Sequence, residues 1–78
     1  MPRVTCQQLL DEGDRATRDH DLETLARVAL VLAPRVGDPL EARLLELARS
    51  CRAGAKLPLR TWPALRAAVV HRIEIAGT

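Results

Sequence analysis

The side chains best equipped for chemistry are two cysteines (Cys6 and Cys51), two histidines (His20 and His71) and the acidic residues. Two thiols allow one bridge, not a disulfide framework. The Cys-x-x-Cys pairs and clustered histidines that mark a zinc site are absent from the sequence. Helical spacing puts Cys6 on an apolar face with Leu9 and Leu10, and Cys51 on another with Leu40, Leu44 and Leu47. Free cysteine packs as a small apolar group, so both are expected in the core. A Cys6–Cys51 bridge, or a metal site with His20 or His71, is the chemical alternative. His71 falls away from the apolar face of its segment, near Glu74, where a solvated role is expected. No Ser/His/Asp set and no pair of carboxylates has a spacing that builds a catalytic centre, and a 78-residue chain encloses little pocket volume. Neither enzymatic activity nor a cofactor is expected.

Charge supplies a second candidate. The chain is net +2, but unevenly so. Residues 1–46 hold six Arg against nine acids, net −3, while residues 47–78 hold five Arg and Lys56 against Glu74 alone, net +5. Arg49, Arg52, Lys56 and Arg60 gather around the end of one predicted helix and the connection after it. They form a candidate site for an anionic partner: nucleic acid, phosphate or an acidic protein surface. The same cations also suit a helix C-terminus, whose dipole they complement. A helix-turn-helix built on Pro34–Gly37 fits poorly, because its reading helix would offer phosphates Glu41 and Glu46 with Arg43 alone.

The elements that must position these residues are helical. Ala and Leu dominate, with no Phe, no Tyr and only Trp62 as an aromatic residue. This predicts an all-α fold: a small bundle of three to four short helices with short connections, one unit over residues 1–78, with a core of Leu, Val and Ala. A domain this small buries only ~60–65% of its unfolded surface, so helix packing and association must supply its stability. The first helix spans about 5–18, opened by a Thr5/Gln8 capping box and carrying Asp11–Arg15 and Asp14–Arg18 pairs. Gly13 within it marks either a close helix approach or a break. The second spans about 22–33, capped by Asp21 and ended by Pro34. The third spans about 39–53, with Asp38 as cap, Pro39 at the first helical position and Gly54 as terminator. A loop then runs to Thr61, which caps a fourth helix from about 62 to 75, ended by Gly77.

The second helix supplies the third candidate. Leu22, Leu25, Val28, Ala29, Leu32 and Ala33 fill one broad face, and Leu30 and Val31 fall outside it. Leu45 is likewise off the apolar face of the third helix, among Glu41, Arg49 and Arg52. Leu30, Val31 and Leu45 are a candidate interaction surface, the alternative being a central helix covered by the other three. Ala29–Pro34 followed by a capped helix resembles a junction between two tetratricopeptide repeats, but only one junction is present and its aromatic positions are empty. Gly37-Asp38-Pro39-Leu40 is similar to the Asp-Ser-Leu of a carrier protein, with Pro39 where the attachment serine would stand.

The longest apolar run, Val28–Ala33, is too short to span a bilayer, so no membrane association is expected and the cytoplasm is the expected compartment. Abundant Ala, and Arg over Lys, point to a bacterial gene. The functional expectation is a protein–protein interaction module, probing a protein partner or forming a homo-oligomer such as a dimer. The alternative is a small regulator that binds nucleic acid or another anion through its basic second half.

Overall fold

The computed structural model describes residues 5–77, so the single unit expected over residues 1–78 extends at both ends beyond the described residues. Four helices follow one another: α1 (Cys6–Arg18), α2 (Leu22–Val36), α3 (Leu40–Arg52) and α4 (Leu57–Gly77). The all-α bundle with short connections is therefore the observed fold.

Local chemistry explains most boundaries. Thr5 Oγ1 accepts from the Gln8 backbone N–H at 3.1 Å, and Gln8 Oε1 accepts from the Thr5 N–H at 2.8 Å, so both arms of the capping box are made. At the other end of α1 the N–H of His20 reaches Thr17 O and that of Asp21 reaches Ala16 O, a Schellman closure with His20 in the left-handed region at φ 57°. Asp21 then caps α2, accepting from the Thr24 N–H and from Thr24 Oγ1, and these bonds hold its carboxyl below the usual carboxylate range. The close of α3 repeats the first pattern with a glycine: Gly54, at φ 80°, donates to Cys51 O, and Ala55 donates to Ser50 O.

Three boundaries differ from the sequence expectation. α2 continues through Pro34 to Val36. Pro34 is exposed and forfeits only the bond its own N–H would make, whereas the added turn buries Val36. α3 starts at Leu40 with no side-chain cap, because Gly37 O takes the Glu41 N–H and leaves Asp38 no capping bond. α4 begins at Leu57, five residues before the expected start, so Thr61 lies within the helix and is not its cap. Pro58 suits the first turn, where a helix has no use for an N–H. It also lies one turn before Trp62, and both side chains are fully buried.

α2 is the central helix, packed against α1, α3 and α4, and seven of its residues are buried. The Cα radius of gyration is 11.6 Å, against about 11.5 Å for a compact chain of this length, so α4 folds back onto the bundle. The core is not built of Leu, Val and Ala alone. Trp62 of α4 is 1% accessible, and its ring lies directly on Gly13 of α1, which resolves Gly13 as a point of close approach. Trp62 Nε1 donates to Asp14 Oδ1 at 2.8 Å, and Arg66 Nε donates to Asp14 Oδ2 at 2.9 Å. Asp14 thus ties α1 to α4 and not to Arg18. Asp11 likewise accepts from Gln7 Nε2 instead of pairing with Arg15. No helix is long and apolar enough to cross a membrane among the described residues.

Candidate interaction site

The thiols come apart in their surroundings. Cys51 is buried in the core and burial pushes its thiol pKa up, whereas Cys6 is only half-buried at the edge of the core. Both are free. His20 and His71 are exposed, and no group of three or more His, Cys, Asp or Glu is placed to hold a metal among the described residues.

Arg49, Arg52, Lys56 and Arg60 are all exposed. Arg49 Nη1 lies 3.7 Å from Glu46 Oε2, with both side chains largely in water, a contact of little energetic weight. Arg52, Lys56 and Arg60 have no acidic partner within ion-pair distance among the described residues, so their charge is open to an external anion.

The apolar candidates divide. Leu30 is half-buried and packs against the core. Val31 and Leu45 are the large apolar side chains left exposed among the described residues, at 37% and 42%. Val31 stands at the rim of a furrow between α1 and α2, whose floor is Leu9 and Val28 and whose rim carries the 2.6 Å Arg27–Glu12 ion pair. Leu45 projects from α3. The two belong to different helices, and Leu45 does not line the furrow at whose rim Val31 stands.

A further feature was not singled out by the sequence. α3 and α4 enclose an open cleft of about 410 Å³ lined by Ala42, Arg43, Glu46, Leu47, Ser50, Pro58 and Thr61. A smaller hollow of about 110 Å³, lined by Arg43, Thr61, Ala64 and Leu65, continues it along α4. Leu47, Pro58 and Leu65 are buried and form the floor, while Ala42 and Ala64 are exposed and too small to fill the space above it. On the sequence Leu47 reads as core, Pro58 as loop and Thr61 as the cap of the fourth helix. Only the early start of α4 turns them into two walls.

No protein-family model, curated protein or solved structure matches the chain.

Proposed function

We propose that this chain is a helical protein–protein interaction module that self-associates in a bacterial cytoplasm. The observation that carries the reading is the exposure of Val31 and Leu45, while the other large apolar side chains among the described residues are packed into or against one core. Full burial of such a side chain is worth ~1.5–3 kcal/mol, and these two are a little over a third exposed, so each stands to gain only about 0.5–1 kcal/mol on association. Burying both side chains in both copies yields only about 2–4 kcal/mol, less than the cost of association, so the acidic first half and basic second half must supply the rest to reach even a Kd of about 1 mM. Sedimentation equilibrium tests this: mass should rise with concentration, and Val31→Asp should suppress the rise at unchanged helical content. The free thiols suit a reducing compartment.

A second reading, a regulator that binds nucleic acid through the basic half, is favoured by Arg52, Lys56 and Arg60, which are exposed and form no ion pair among the described residues. Phosphate contact makes affinity fall steeply with salt, which apolar association does not do. The same sedimentation runs with added DNA at low and high salt separate the two.

A further inference from the structure

We propose that the α3–α4 cleft docks an acidic amphipathic helix belonging to another protein. The inference rests on reading the chain as an interaction module, but it uses a different surface, since neither Val31 nor Leu45 lines this cleft.

Three observations point to that occupant. The first is shape. The two hollows share Arg43 and Thr61, so they form one furrow. Ala42 to Ser50 on α3 and Pro58 to Leu65 on α4 each run about 11–12 Å at 1.5 Å per residue. That is two helical turns, the reach of apolar anchors at i, i+3 or i+4, and i+7. The second is charge. Arg43 is on the rim, Arg49 lies one turn after the rim residue Glu46 on α3, and Arg60 lies one turn before Ala64 on α4. The one acid on the rim, Glu46, is 3.7 Å from Arg49, and α4 carries no acid before Glu74. The flanks are therefore net positive around an apolar floor, complementary to a helix with apolar anchors and acidic sides. The third is the state of the chain's own helices. The apolar faces of α1, α2 and α3 are packed in the core, and what α2 and α3 leave exposed is Val31 and Leu45, one residue each and not a stripe of anchors, so none of these three helices of a second copy matches the cleft. A nucleic acid would meet the apolar floor and Glu46, which favours a peptide.

The test uses the full chain and a labelled synthetic helix with leucines at i, i+4 and i+7 and glutamates along its flanks, followed by fluorescence anisotropy. The comparison peptide has lysine for every glutamate. The acidic helix should bind saturably, and the lysine helix at least about tenfold more weakly. Arg43→Glu and Ala64→Trp, both at exposed positions, should each weaken the acidic helix about tenfold or more, with helical content checked by circular dichroism. Arg18→Ala, which removes a cation at an exposed α1 position outside the cleft, should leave its binding unchanged. A chain that stays monomeric yet binds the acidic helix at this cleft overturns self-association and supports this inference. Absence of binding at millimolar peptide, equal binding of the lysine helix, indifference to both cleft variants, or displacement by single-stranded DNA at equal affinity would each overturn it.

Discussion

Gly13 sets how closely α1 and α4 approach, because any side chain there meets the six-membered ring of Trp62. Trp62 has no easy retreat: it is fully buried, and its Nε1 is held by Asp14. In an open helix Gly→Ala gains about 1 kcal/mol, whereas overpacking a closed core costs about 1–3 kcal/mol. An added Cβ would lie within 3.0 Å of three atoms of that ring, which puts the cost at the upper end of this range, so Gly13→Ala should destabilise the domain by about 1–2 kcal/mol net and shift Trp62 fluorescence, read by urea unfolding. A raised midpoint would show that the ring has room to move. The thiols offer a second test at this scale. Cys51 is buried with a raised pKa and Cys6 is half-exposed, so in the native protein a thiol reagent should modify Cys6 well before Cys51. The two rates should converge in denaturant, and equal native rates would contradict the assigned burial.

At the scale of elements, α1 and α3 close with the same Schellman pattern, but one uses His20 where the other uses Gly54. A left-handed residue with a Cβ costs about 1–2 kcal/mol, and a glycine there gives back part of the gain through the freedom it adds to the unfolded chain. His20→Gly should stabilise by about 0.5–1 kcal/mol, raising Tm by about 2–8 °C in a thermal melt. A lower Tm would mean that the imidazole makes a contact worth more than the strain. These ends also show what is legible in a sequence. The caps by Thr5 and Asp21 and the stop at Gly54 depend on neighbours in the chain, and they are read correctly from it. Pro34 and Pro58 mislead because a proline's local cost can be outweighed by what the surrounding turn buries, Val36 in one case and Pro58 with Trp62 in the other. For Trp62 that burial is decided by α1, which lies far away along the chain. The α3–α4 cleft stayed hidden because the start of its second wall, at Pro58, reads as a loop.

For the whole molecule, the question is whether a core this small is complete by itself. α2 is covered on three sides, and no buried side-chain polar atom lacks a hydrogen-bond partner among the described residues. What an association could cover is therefore the apolar surface left outside the core, Val31 and Leu45 among the described residues. Val31 sits at a furrow rim, so Val31→Asp places its charge in water and not in the core. The most direct test is sedimentation equilibrium of the wild type and Val31→Asp up to about millimolar concentration, where a contact of about 4 kcal/mol populates the dimer. Circular dichroism is recorded on the same samples. The account predicts a wild type whose mass climbs toward that of a dimer, and a Val31→Asp variant that is equally helical and stays a monomer. A wild type that remains monomeric throughout, or a Val31→Asp variant that unfolds, would contradict it.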